Sequence, residues 1–117
     1  MEILKREEGN VSILELKGRL DLASGGALKE AVKNIFANNK SSVHINLEKV
    51  EFINSSGLGS LVSVMKEIRL NKGRLTLSDM ESYVKEIFEI TQLSHIFEIY
   101  DSEKEAIESF QTESSKV

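Results

Sequence analysis

The spacing of apolar residues changes several times along the chain and predicts alternating strands and helices. Residues 3–6 and 11–17 have the period-two pattern of strands, and the polar segment 7–10 between them suits a hairpin turn. We therefore expect these two strands to be antiparallel. Three further strands are predicted by similar runs at residues 43–47, 74–77 and 96–100.

Four amphipathic helices are predicted between and after those strands, because apolar residues recur there at intervals of three and four. Their apolar stripes lie within residues 27–36, 58–68, 83–88 and 106–110. We expect Ser24 to cap the first helix and the second to begin within two residues of Ser56. Ser78-x-x-Glu81 and Ser102-x-x-Glu105 predict capping boxes before the last two helices.

The order β-β-α-β-α-β-α-β-α predicts the fold class. Strands separated by helices return by crossover connections, which make neighbouring strands parallel. We therefore expect an α/β fold with a mixed, mainly parallel sheet, an antiparallel edge strand and about four helices. Residues 1–110 contain no repeat or linker-like stretch and are expected to form a single domain, with residues 111–117 as a frayed polar tail.

The amino-acid composition argues against several classes of function. The 117 residues include no cysteine and only two histidines, so we expect no thiolate chemistry and no metal site. The net charge of −4 argues against nucleic acid or an anionic membrane surface as the main partner. No apolar run approaches the roughly 18 residues that span a bilayer, and charges occupy the place of a signal peptide's apolar core. We therefore expect a cytoplasmic protein.

The candidate chemistry lies in residues 52–60, a small, polar, glycine-rich segment that opens the second predicted helix. Free N–H groups and the helix dipole make such a helix start suitable for an anion or a phosphorylated hydroxyl, with Asn54, Ser55 or Ser56 as the N-cap. The alternative is that these residues only cap the helix while the glycines permit a tight entry. No charged residue occurs from residue 52 through 65, so a phosphate would bring about −1.5 to −2 charges to a neutral surface.

Residues at specific positions argue against the enzyme motifs that this segment partly matches. Gly57-x-Gly59 begins like a dinucleotide fingerprint, but Val62 stands where the third glycine is needed. No nucleophile elbow and no P-loop is present, and His44 and His95 are expected to be structural residues. The simplest role for Asp21 is a turn or capping carboxylate. We therefore predict a protein that is not an enzyme and has no cofactor.

Two motifs resemble those of a known family. Gly18-Arg19-Leu20-Asp21, followed by residues 47–59, which read LEKVEFINSSGLG, is similar to the bacterial anti-sigma factor antagonists, which are single STAS domains. The resemblance implies a regulatory module that binds an anti-sigma factor in its unphosphorylated form and so releases a sigma factor. It also implies that the anti-sigma factor is a serine kinase, that a serine phosphatase reverses the reaction, and that phosphorylation breaks the complex.

Carried over by position, the resemblance makes Ser55 the phosphorylated residue. Asp21 becomes a candidate contact with the kinase, and Gly57, Leu58 and Leu61 are expected on the exposed side of the helix start. Related chains have Asp where this chain has Asn54. The full set of expected partner-binding residues is Asp21, Asn54, Ser55, Ser56, Gly57, Leu58, Gly59 and Leu61. The alternative is a STAS domain that serves as a scaffold or accessory subunit in a stress-signalling or lipid-transport complex.

Overall fold

Five strands and four α-helices alternate along the chain in a computed structural model that describes the backbone of residues 1–114 and the side chains of residues 1–111. A short 3-10 turn, Leu93–His95, precedes the last strand. In chain order the elements are β1 (Glu2–Glu8), β2 (Val11–Leu20), α1 (Leu22–Ala37), β3 (Ser42–Ile53), α2 (Ser55–Leu70), β4 (Arg74–Ser78), α3 (Ser82–Ile90), β5 (Glu98–Tyr100) and α4 (Glu103–Ser114).

The sheet has the strand order β1-β2-β3-β4-β5, so each strand pairs with its neighbours in the sequence. β1 is an edge strand and pairs antiparallel with β2, and the other pairs are parallel. α1, α2 and α3 share one apolar core on one face of the sheet, the arrangement expected when crossovers between successive strands are right-handed. α4 follows the last strand and covers the other face. This confirms the predicted fold class.

The two faces of the sheet are packed differently. The larger apolar core fills the side of α1, α2 and α3, and includes Phe88 and Phe97, whose rings meet edge to face at 5.6 Å. On the α4 side a smaller cluster joins Val11 and Ile13 of β2 to Ile107 and Phe110. Within residues 1–114, none of the helices combines the length and apolar composition needed to cross a bilayer.

The helix caps partly differ from the sequence-based expectations. α1 is capped by Asp21 and not by Ser24: the Asp21 carboxylate accepts from the Ser24 backbone N–H at 3.2 Å, and the Ser24 hydroxyl accepts from the Asp21 N–H at 2.8 Å. The capping box predicted at Ser78 is wrong, because Glu81 precedes α3 and makes no side-chain cap bond. Ser102 does cap α4, since its hydroxyl accepts from the Glu105 N–H at 3.2 Å.

The last helix is longer than expected. α4 continues to Ser114, four residues beyond the predicted limit of the domain at residue 110. Residues 115–117 of the expected tail lie outside the described residues.

Candidate functional site

The starts of α1 and α2 lie side by side at one edge of the sheet. α1 follows β2 directly and α2 follows β3 directly, and these two strands are parallel neighbours. Their carboxyl ends therefore reach the same edge, where the Asn54 N–H donates to the Leu20 carbonyl at 3.3 Å. Both helices point their N-terminal ends, and so the positive ends of their dipoles, to this edge.

α2 begins at Ser55, as predicted, and Asn54 is its N-cap. The Asn54 side-chain oxygen accepts from the Gly57 N–H at 2.9 Å, which satisfies one of the free donors of the first turn. Ser55 and Ser56 then stand exposed as the first two helical residues, and Gly59 is exposed one turn later. The neutral segment of residues 52–65 thus presents small, uncharged groups to solvent around two hydroxyls.

Two residues that were expected on the exposed side of α2 are buried. Leu61 has no exposed surface and lies in the large core, and Gly57 packs against the end of β2. A Cβ added to Gly57 would stand 2.7 Å from the Leu20 carbonyl carbon, so the strand requires a glycine there. The expectation of exposure is wrong for Gly57 and Leu61 because the helix turns these positions toward the sheet. Leu58 is half-buried.

Asp21 lies at the same edge and is the cap of α1, as the simpler interpretation held. Hydrogen bonds from the backbone and side chain of Ser24 hold the pKa of Asp21 below its usual value. The Arg19 Nε lies 4.0 Å from the Asp21 carboxylate, and the Arg19 guanidinium stacks over Phe52 at 3.9 Å from the ring centroid. Asp21 therefore places a fixed negative charge next to the neutral surface of α2.

A family model described as a STAS domain matches residues 2–106. The chain belongs to the STAS domain family. An anti-sigma-B factor antagonist of Listeria monocytogenes is 30% identical over 105 residues, which cover 90% of this chain and 91% of the relative. The anti-sigma-B factor antagonist of Staphylococcus aureus is 26% identical over 86 residues, covering 74% of this chain and 80% of the relative. The resemblance drawn from the two motifs is thereby confirmed.

Solved structures agree with the STAS fold. A crystal structure from Thermotoga maritima, described as an anti-sigma factor antagonist, has a TM-score of 0.83 at 28% identity and covers 92% of each chain. SpoIIAA has TM-scores of 0.73 in its unphosphorylated form and 0.71 in its phosphorylated form, with 21% identity in both comparisons. The SpoIIAA alignments cover 94% and 93% of this chain and 98% and 99% of SpoIIAA. At 21% identity, the similarity to SpoIIAA supports the fold and nothing further.

The STAS domain also contains a buried network of side-chain hydrogen bonds beneath α4, which was not predicted from the sequence. The Ser78 hydroxyl donates to Asp79 at 2.6 Å, so its oxygen accepts from the His44 Nε2–H at 2.7 Å. His44 Nδ1 is then free of a proton and accepts from the Thr76 hydroxyl, also at 2.7 Å. The signal available in the sequence was the polar residues at alternate positions of β3 and β4, which share one face of the sheet.

His44 is suited to a structural role in this domain. Its side chain is fully buried, and burial lowers its pKa to about 4, although the carboxylates of Glu103 and Asp79 act in the opposite direction. Asn46 donates to Glu103 at 3.0 Å, and Glu103 is paired with Arg6 at 2.7 Å. Within the described part of the chain no three His, Asp or Glu side chains converge as metal ligands would.

Proposed function

We propose that this protein is an anti-sigma factor antagonist, which binds an anti-sigma factor through the exposed start of α2 and is switched off when Ser55 is phosphorylated. The observation that carries the proposal is the placement of Ser55: an exposed hydroxyl, first in its helix, within an uncharged surface of a STAS domain. The names of the Listeria and Staphylococcus relatives support the choice of an anti-sigma factor as partner.

Ser55 is an exposed serine at the first position of α2, and in this proposal its hydroxyl is the acceptor of the phosphoryl group. The γ-phosphoryl group of ATP would pass to the Ser55 hydroxyl oxygen, ADP would leave, and the hydroxyl proton would pass to a base or water of the kinase. ATP and its metal ion belong to the partner. This STAS domain acts by binding in the cytoplasm and needs no catalysis of its own, and a serine phosphatase would return it to the active form.

The physical basis of the switch is the difference in desolvation cost. Removing water from the neutral groups at Ser55, Ser56 and Gly59 costs much less than removing it from an unpaired, charged phosphate. The helix start itself tolerates the phosphate, because the dipole and the free N–H groups favour an anion there. We therefore expect phosphorylation to block the interface without unfolding the domain.

The surface that we propose for the partner is smaller than the sequence motif. Ser55, Ser56, Gly59, the exposed part of Asn54 and the accessible edges of Leu58 and Asp21 can touch a partner directly. Gly57 and Leu61 are buried, so their contribution is to place the helix. Asp21, whose carboxylate lies 4.0 Å from the Arg19 Nε, adds an acidic group at the start of α1 and favours a cation on the partner opposite it.

The test uses the Ser55→Ala and Ser55→Asp variants as baits in an extract of the native cytoplasm. We expect the Ala bait to retain an anti-sigma factor with a kinase fold and the Asp bait to lose it. The recovered kinase is then incubated with ATP and either the Ser55→Ala or the Ser56→Ala protein, and the products are examined by mass spectrometry. Modification of the Ser56→Ala protein alone supports Ser55 as the acceptor.

Two results would contradict the proposal. Phosphorylation mainly at Ser56 would remove Ser55 from its assigned role. Recovery of transport or scaffold proteins with both baits, and of no anti-sigma factor, would favour the alternative in which the STAS domain is an accessory subunit of another assembly.

A further inference from the structure

α1 and α2 are in close contact near the proposed phosphorylation site. Gly25, in the first turn of α1, is buried against Ser60, in the second turn of α2. A Cβ built on Gly25 would overlap the Ser60 hydroxyl oxygen and stand 2.9 Å from the Ser60 Cβ. Any residue other than glycine at position 25 would therefore have to displace Ser60.

Side-chain rotation cannot relieve this contact. Turning the Ser60 side chain about its first torsion angle moves the hydroxyl oxygen but leaves the Cβ in place, and Cβ atoms do not approach within 3.0 Å. A larger residue at position 25 must then move one helix backbone relative to the other. Glycine is otherwise unfavourable here, since Gly in a helix costs roughly 0.5–1 kcal/mol relative to Ala.

Ser60 connects this contact to the first turn of α2. Its hydroxyl donates to the Ser56 carbonyl at 3.1 Å, and Ser56 is the residue that follows the proposed phosphoacceptor. The same turn is held from the other side by Leu20, whose backbone packs against Gly57 and accepts from the Asn54 N–H. The first turn of α2 is thus fixed between the end of β2 and the first turn of α1.

We propose that Gly25 and Ser60 are positioning residues for the switch, which set the place of the Ser55 hydroxyl through the spacing of α1 and α2. This inference rests on the proposed function, because it assigns the contact a role in the reaction of Ser55. Gly25 and Ser60 themselves touch neither the kinase nor the phosphate.

The experiment compares Gly25→Ala with Gly26→Ala, its matched control. Both changes add one methyl group to the same helix turn, but a Cβ on Gly26 meets no atom within 4 Å. Ile107→Ala, a truncation of a buried α4 residue on the opposite face of the sheet, controls for lost stability alone. Amide chemical shifts of residues 54–57 report the position of the first turn of α2. The kcat/KM for phosphorylation by the recovered kinase reports how well Ser55 is placed as the acceptor.

We expect Gly25→Ala to move the amide signals of residues 54–57 and to lower kcat/KM about tenfold or more, because small misplacements of a reacting group are costly. The Gly26→Ala and Ile107→Ala proteins should keep both values. Adding Ser60→Gly to Gly25→Ala removes the obstructing Cβ and should restore the rate to that of Ser60→Gly alone, which lacks the same bond to the Ser56 carbonyl. Adding Ser60→Ala keeps that Cβ and should not.

Unchanged amide signals and an unchanged rate in Gly25→Ala would overturn the inference. A loss of rate in Ile107→Ala equal to that in Gly25→Ala would overturn it as well, because stability alone would then explain the effect. If the parent protein is not phosphorylated at Ser55, the proposed function fails, and the amide signals of the variants still decide whether the contact sets the turn.

Discussion

The buried His44 predicts a loss of stability in mild acid. In the unfolded chain this histidine takes up a proton at its ordinary pKa near 6.5, whereas in the folded protein burial lowers the pKa to about 4. Between these two values the unfolded state binds more protons, so the free energy of unfolding falls as the pH falls. The full shift corresponds to about 3 kcal/mol, of which about 2 kcal/mol should be lost between pH 7 and pH 5.

Carboxylates with lowered pKa values affect the stability mainly at pH values below this window. Burial would raise the pKa of Glu103, but its hydrogen bonds from Arg6 and Asn46 outweigh burial and hold the pKa below 4.5. The pKa of Asp21 is likewise lowered. The stability that these two groups contribute is present above their unfolded pKa values and is lost only as the pH falls further. His44 should therefore dominate the slope between pH 7 and 5.

The assay is denaturant unfolding at half-unit intervals from pH 7.5 to 5.0, on the parent and on His44→Gln. Gln can accept from the Thr76 hydroxyl and donate to Ser78 but does not titrate, so its unfolding free energy should be nearly constant across the window. His95→Gln, at an exposed position, is the matched control and should keep the parent's slope. Equal slopes for the parent and His44→Gln would refute the assignment of the acid sensitivity to His44.

Three further predictions concern α2. Leu61→Ala should cost about 2–5 kcal/mol in denaturant unfolding, because the side chain is fully buried, and the half-buried Val62→Ala should cost less. Asn54→Ala should lower stability by about 1 kcal/mol through the lost cap, whereas Asn54→Asp should retain the cap and the melting temperature. Ser55→Asp should melt close to the parent, since an acidic residue suits a helix N-terminus, and a large drop in melting temperature would contradict a local switch.

The order of the elements was predictable because the hydrophobic periods are strong and turn residues separate them. The ends of β2 and β3 were not: both strands run several residues beyond their apolar alternation, through charged positions such as Lys49 and a shifted register near Gly18. The cap of α1 was also misassigned. Asp21 and Ser24 are both good capping residues, and only the backbone geometry, in which they bond reciprocally, decides which of them precedes the helix.

The hydrogen-bond network around His44 could not be predicted from the sequence of β3 alone. In β3, His44 and Asn46 alternate with the buried Val43 and Ile45, which is also the pattern of a strand with one solvated face. Their burial follows from α4, which covers that face with Glu103 near its start. Which face a terminal helix covers depends on the packing of the whole sheet, and local periodicity carries no information on it.

The motif at the start of α2 is divided between an exposed side and a buried side of one helix. Ser55, Ser56 and Gly59 face solvent, whereas Gly57, Ser60 and Leu61 face the strand end, α1 and the core. A motif comparison cannot separate the two sets, because a helix brings residues three and four apart to the same side and leaves neighbours on different sides. Charge placed on the exposed set should therefore alter partner binding while the fold persists, and added volume on the buried set should alter binding only by moving the helix. Ser55→Asp and Gly25→Ala measure these two effects separately. Ser55→Asp adds a charge to the exposed side and should leave the turn in place. Gly25→Ala adds a methyl group against the buried Ser60 and should move the turn without changing its exposed residues.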